Sequence, residues 1–234
     1  FKKEYKRAGI EPANIQTGAV IVTGESARKQ NARQIAEALS NDAGKFVAAT
    51  AGPNFESLIA AMGSGAAARS MDYNKTILSC DIGGGTSNIA VTRNGHTLST
   101  SCISVGGRLL GINSKGKIWR IDPPARVVMK HLGMDKGIGD PISKAEIKRI
   151  GAAFGKVLFE VITGPARSKL ARQLMVTDDL HFPNRIDEYS FSGGVAEIMY
   201  GGLNHYDDIG KILADQLNTL TTQLNARVIE PANK

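Results

Sequence analysis

Eight residues constrain this chain more than any others: Asp81-Ile82-Gly83-Gly84-Gly85-Thr86-Ser87-Asn88. The run Thr76-Ile77-Leu78-Ser79-Cys80 before them predicts a buried strand that ends on the Asp81 carboxylate. Three glycines then let the backbone turn and approach a ligand closely, so that several N–H groups can converge on phosphate oxygens. A carboxylate beside such a nest would repel bare phosphate. It fits if Asp81 faces Mg²⁺ through water, because Mg²⁺ keeps much of its hydration shell and uses few carboxylates. Thr86 adds a hydroxyl that can donate to a phosphate oxygen or to an attacking water. The bland reading is a tight glycine turn capping a hairpin, and the order Asp, triple Gly, Thr after a strand weighs against it. This is no Walker loop: G-x-x-x-x-G-K-[ST] is missing and the segment leads into a strand. Nor does it open a helix as G-x-G-x-x-G does, which disfavours a dinucleotide fold.

The surrounding sequence predicts alternating strands and helices. Strands are expected at 18–22 and 46–49, with a helix over 27–39 capped by Ser26 and a small-residue helix over 55–69. After the 76–80 strand, residues 88–93 and 96–104 flank Asn94-Gly95, the strongest short-range hairpin signal. A further strand pair is expected around 109–113 and 117–121. Helices follow at 125–132, 143–161, 165–172 and 207–224, with a short strand at 189–192 running into Gly193-Gly194. Residues 226–229 could open one more strand. Residues 1–8 read as the end of a helix, and the abrupt ends suggest a piece of a longer protein.

Composition narrows the function classes. A hydrophobic fraction of 42% with 22% charged residues is enough to bury a core and excludes a disordered tail. No stretch approaches the roughly 18 apolar residues a membrane helix needs, and residues 1–30 lack a secretory h-region. The net charge is +7, from 29 Lys+Arg against 22 Asp+Glu. Basic residues cluster at Lys2–Arg7, Arg28–Arg33, Lys144–Arg149 and Arg167–Arg172, each on an amphipathic helix where solvated cations are the default. Without aromatic interleaving or a recognition motif, a nucleic-acid role is disfavoured. Cys80 and Cys102, expected on adjacent strands, read as buried thiols in a reducing cytosol, not as a disulfide or metal pair. His96, His131, His181 and His205 lack metal-ligand spacing.

Leu78–Asn88, the hairpin after it and Val105-Gly106-Gly107-Arg108-Leu109-Leu110 resemble the second phosphate loop of the actin, sugar-kinase and heat-shock-chaperone ATPase superfamily. Within it the chain resembles the reactivating factors of ethanolamine ammonia-lyase, through residues 18–32, 49–57 and Phe191-Ser-Gly-Gly-Val-Ala-Glu197 as well. The resemblance implies an α/β, actin-like ATPase (ribonuclease H-like) fold, with mixed sheets flanked by helices in two lobes. Residues 1–75 would end lobe one and 76–234 would form most of lobe two. It further implies ATP/ADP and Mg²⁺ as cofactors and ethanolamine ammonia-lyase as partner, in the cytoplasm or with the ethanolamine microcompartment. The activity implied is nucleotide-driven release of damaged cobalamin, so that intact adenosylcobalamin can replace it.

Carried onto this chain, Asp81 would hold a Mg²⁺-bound water, while Gly83, Gly84, Gly85 and Thr86 would contact the β- and γ-phosphates. Gly193 and Gly194 resemble the adenosine loop, although Gly-Gly before a helix is commonly only a turn. Glu56 stands where the superfamily carries a water-orienting group; a first-turn Glu favourable to the helix dipole is the plain alternative. Glu25 is a weaker candidate for the cleft. One departure matters: the first phosphate loop, Asp-x-Gly-x-x-x-Thr, is absent from this sequence and is expected upstream of Phe1, which puts independent hydrolysis in doubt. Two rival readings remain. A small-molecule kinase would need a base among Asp178, Asp179 and Asp187, and a microcompartment scaffold would ignore nucleotide. The Gly106-Gly107-Arg108 turn is a candidate partner-responsive surface by position alone.

Overall fold

A computed structural model describes residues 2–11, 14–15, 18–22, 34, 46–50, 52–182, 185–202 and 206–232. The chain forms two compact units, Phe1–Gly52 and Pro53–Lys234. In the first, α1 (Lys2–Ala8) is followed by β1 (Gly18–Val22) and β2 (Phe46–Thr50), which pair in parallel. The helix expected over 27–39, its Ser26 cap and Glu25 lie outside the described residues.

The second unit is built on a five-stranded mixed sheet. Its strands are β3 (Thr76–Ile82), β4 (Ser87–Arg93), β5 (His96–Ile103), β8 (Glu188–Ser192) and β9 (Arg227–Ile229), in the spatial order β5-β4-β3-β8-β9. β3–β4 and β4–β5 are antiparallel, whereas β3–β8 and β8–β9 are parallel. An antiparallel triplet extended by two parallel strands is the ribonuclease H-like arrangement that the resemblance implies. The hairpin turn falls on Asn94-Gly95, with φ of 50° and 78°, as a two-residue turn of this hand requires. A separate ribbon, β6 (Leu110–Ile112) with β7 (Ile118–Ile121), precedes the helices.

Period-two alternation places helices on both faces. Leu78, Cys80, Ile82, Ile89 and Val91 point into the main core with Phe154 and Leu158 of α5 (Lys144–Thr163). Ile77, on the opposite face, meets Ala66 and Ile229. There α2 (Pro53–Gly63) packs over β3, β4 and β5, and α3 (Ala66–Asp72) over β3 and β4. The single helix expected over 55–69 is thus two, broken at Ser64-Gly65, where Gly65 takes φ +82°. These helices belong to the compact unit that starts at Pro53, upstream of the lobe boundary expected at residue 76. On the core face, α5 also contacts α4 (Pro123–His131), α6 (Lys169–Leu174) and α8 (Gly210–Thr221). A short α7 (Gly194–Met199), which periodicity did not suggest, links β8 to the rest.

Both cysteines are buried thiols, but they sit on β3 and β5 with β4 between them, not on adjacent strands. Among the described residues no helix is long and apolar enough to cross a membrane.

Two carboxylates tie this unit's stability to pH. Glu188 accepts both Arg69 Nε (2.7 Å) and an Arg69 terminal nitrogen (3.0 Å), and those bonds outweigh burial and hold it below the usual range. Glu146 forms a capping box with Ser143; the Ser143 backbone and hydroxyl, then Lys136, lower it to about 2. Both carboxyls are depressed in the folded state, so their contribution is present above the ordinary carboxylate value of 4.5; it is lost as pH falls below that value, for Glu146 on the way down to about 2. Urea unfolding across that window should show a falling midpoint, and Arg69→Met should flatten part of the slope. An unchanged slope in the variant would remove Glu188 from this account.

Candidate functional site

The triple-glycine segment forms the tight link between β3 and β4. Ile82 pairs with Ser87, and the Gly83 N–H donates to the Thr86 carbonyl at 3.0 Å. A second backbone segment braces it from behind. Gly107 N–H donates to the Gly83 carbonyl (3.0 Å) and Arg108 N–H to the Gly84 carbonyl (2.7 Å). Gly106 approaches so closely that a Cβ there would lie 2.5 Å from the Gly84 carbonyl and the Gly85 nitrogen. With the carbonyls engaged on one side, the N–H groups of Gly84, Gly85 and Thr86 have no acceptor among the described residues. Three consecutive free donors at a strand end form a nest for anionic oxygen.

Asp81 lies two residues before Gly83, on the sheet face covered by α2. Its cross-strand neighbours are Asn88 on β4 and Ser192 on β8. Burial raises the Asp81 carboxyl above its ordinary value; the Ser192 hydroxyl, hydrogen-bonded to it, opposes the shift, and the charge of Glu56 adds to it. Glu56, from the first turn of α2, also accepts from Asn88 Nδ2 at 3.4 Å. The Asn88 side chain is buried, yet its Oδ1 has no hydrogen-bond partner among the described residues. A buried orphan acceptor beside two carboxylates suits a water or a hydrated cation. Among the described residues no group of three or more His, Cys, Asp or Glu could cage a metal, so the donors fit a hydrated Mg²⁺ shared with phosphates.

Gly193 abuts this cluster with φ +85° and ψ 173°, and a Cβ there would lie 2.3 Å from Asp81 Oδ1. Gly194 opens α7 with nothing within 4 Å of where its Cβ would be. On the other side of the loop, a pocket of about 190 Å³ is lined by Gly83, Gly84 and Gly194 together with Arg108, Tyr206 and Asp208. Asp208 accepts from Gly210 N–H at 2.8 Å and stands 3.9 Å from Arg108 Nε. Burial raises its carboxyl, against the Gly210 hydrogen bond. A wider cavity of about 640 Å³ near Phe159 and Tyr189 contains none of the motif residues.

The structure therefore brings together Asp81, Glu56, Gly83–Thr86, Gly193 and Gly194 at the C-terminal ends of two parallel strands, where α/β sheets bind ligands. Tyr206 and Asp208 are not singled out by sequence, and Asn88, the last residue of the motif, receives no role from it. Pairing Asn88 with Asp81 across the hairpin could have found that role, whereas Tyr206 and Asp208 arrive through tertiary contacts. Of the three kinase-base candidates, Asp179 accepts Ala166 N–H (2.9 Å) and Asp187 accepts Thr76 N–H (2.9 Å). Asp187 thus sits at the far end of β3, roughly 17 Å from Asp81 at about 3.3 Å per residue. Gly106 and Gly107 are buried, so of the proposed partner-responsive turn only Arg108 is exposed.

Curated relatives described as ethanolamine ammonia-lyase reactivase EutA occur in Salmonella typhimurium (37% identical over 218 residues) and Escherichia coli (36% over 223). Each alignment covers 92% of this chain but only 46% and 47% of those proteins, so the chain spans about half their length. Solved structures of similar outline include an exopolyphosphatase-like protein (13% identity, TM-score 0.49, 86% of this chain and 51% of that one). Another is the activator of 2-hydroxyisocaproyl-CoA dehydratase from Clostridium difficile with bound ADPNP (14%, TM-score 0.39, 99% and 73%). The profile of the family described as ethanolamine utilisation protein EutA matches residues 1–234, so the chain belongs to that family.

Proposed function

We propose that this chain is part of an ATP-dependent reactivating chaperone that releases damaged cobalamin from ethanolamine ammonia-lyase so that intact adenosylcobalamin can bind. The partner follows from the name of the curated relatives. The nucleotide follows from one observation above the rest, the three adjacent N–H donors of Gly84, Gly85 and Thr86 left without acceptors. In this reading residues 1–75 end one ATPase lobe and 76–234 form most of the other.

Each residue has a role set by its surroundings. The Gly84, Gly85 and Thr86 amides hold β- and γ-phosphoryl oxygens in place before charge develops on them. Mg²⁺, when bound with the nucleotide, neutralises part of that charge. Asp81 accepts from a water of its shell, and Asn88 Oδ1 offers a second acceptor. Glu56, tethered by the Asn88 amide, orients the attacking water, and the Thr86 hydroxyl donates to it or to the phosphate. The nucleoside lies toward Gly194, whose missing side chain leaves the wall of the Arg108–Asp208 pocket open.

Calorimetric titration of the full chain with Mg-ADP and Mg-ATP tests this. Saturable binding is expected, with a stabilisation of about 2.7 kcal/mol at a hundredfold excess over Kd. Asp81→Ala should weaken it at least tenfold with the fold intact. Unaltered affinity in that variant would refute the assignment.

A further inference from the structure

The chain's positive charge is concentrated on the helical side of the second unit. Residues 123–175 hold ten Lys+Arg and four Asp+Glu, a net +6 out of the chain's +7. Three of the four acids are already engaged, Asp140 by the Gly137 N–H at 2.7 Å. Glu146 serves the Ser143 cap and pairs with Lys136 at 3.1 Å, and Glu160 accepts the backbone N–H groups of Arg167 and Ser168.

Where α4, α5 and α6 meet, a groove of about 450 Å³ opens, and its lining is predominantly apolar. Along α5 the groove follows Arg149, Ala152, Ala153 and Lys156, the i, i+3, i+4, i+7 spacing of a single helix face. Two alanines form a smooth floor with Leu132, while Arg149, Lys156 and, from α6, Lys169 form an exposed rim. Arg149 donates to the Leu132 carbonyl at 3.1 Å, which fixes one end. Lys156 and Lys169 have no ion-pair partner among the described residues. The groove's run on α5, from Arg149 to Glu160, is roughly 16 Å at 1.5 Å per residue, enough to seat about three turns of another helix.

We propose that this groove docks an acidic amphipathic helix of a protein partner, its apolar stripe on the alanine floor and its carboxylates on the Arg149–Lys156–Lys169 rim. Charge complementarity selects the sign and the floor selects the class. A nucleic-acid backbone would satisfy the cations but leave the apolar floor wet, and the lining offers a base no Phe, Tyr or Trp face, only the His131 ring at one end. The site lies on surface that the nucleotide loop does not use, so the inference stands apart from the function proposed above.

Fluorescence anisotropy with the full chain tests it, using a labelled peptide of about four helical turns with Leu along one face and Glu along the other. Saturable binding that weakens with salt is expected, with at least a tenfold loss in Lys156→Glu/Lys169→Glu and in Ala153→Glu, which puts a charge in the floor. Should the reversals unfold the chain, Lys156→Gln/Lys169→Gln should still lower affinity about threefold. A peptide of equal charge without the Leu face should bind at least tenfold more weakly. Equal binding of that peptide, tighter binding of a single-stranded nucleic acid, or indifference to all three variants would overturn the proposal.

Discussion

Gly106→Ala is expected to lower nucleotide affinity and any hydrolysis by about a hundredfold while leaving most of the chain folded. The new methyl carbon would sit 2.5 Å from the Gly84 carbonyl and the Gly85 nitrogen, whereas ordinary contact begins near 3.4 Å. The obstacle is backbone, so no rotamer change relieves it, and the loop must move by about 1 Å. Misplacement on that scale costs about 10² in well-aligned chemistry, and overpacking adds about 1–3 kcal/mol of destabilisation. Gly194→Ala is the matched control, since its Cβ would meet nothing within 4 Å and its φ is not positive. That variant should fold normally, so any loss of binding would report a ligand at its surface. Titration calorimetry on the pair separates the two effects, and wild-type affinity in Gly106→Ala would count against the loop as the phosphate site.

Gly193→Ala should be the more destructive change for the fold. Its φ of +85° with ψ 173° lies in a region essentially reserved for glycine, at a cost of about 1–3 kcal/mol for any other residue. The added carbon would also fall 2.3 Å from Asp81 Oδ1 and 2.7 Å from the Ile82 carbonyl, for about another 1–3 kcal/mol. A total of roughly 2–6 kcal/mol should lower the melting temperature of a unit this size by about 10 °C. Differential scanning calorimetry reads the shift. A melting point within a degree of wild type would mean that the turn relaxes far more easily than its contacts suggest.

The elements that could be read from sequence are those whose information is local. Asn94-Gly95 between two β-rich runs predicted the hairpin with its turn in place, and β9 fell on the Arg227-Val228-Ile229 run. The loop after Asp81 was legible because an ordered string of special residues has few structural excuses. The break between α2 and α3 is hidden in the sequence because Gly63-Ser64-Gly65 sits inside a helix-like run of small residues. Helix α7 is only six residues long, too short for periodicity to register. The pocket wall at Tyr206 and Asp208 depends on a crossing of distant segments, seen in the isolated bridge between Gly111 and Asp208, and no window along the chain contains it. The Glu56–Asn88–Asp81 cluster likewise exists only because α2 lies across β3 and β4.

The bracing of the glycine loop also has a mechanical side. Gly83 and Gly84 are held by Gly107 and Arg108, and the Gly107 carbonyl accepts the Ile209 N–H at 3.1 Å just where α8 begins. Side chains between elements act as springs, because rotamers can absorb a displacement. Here bare backbone bears on bare backbone, and the linkage has almost no slack. A shift imposed at the loop is delivered to the first turn of α8, which packs along α5, the helix that carries the Arg149–Lys156 face. Amide exchange in residues 209–214 is where a change at the loop should first be felt.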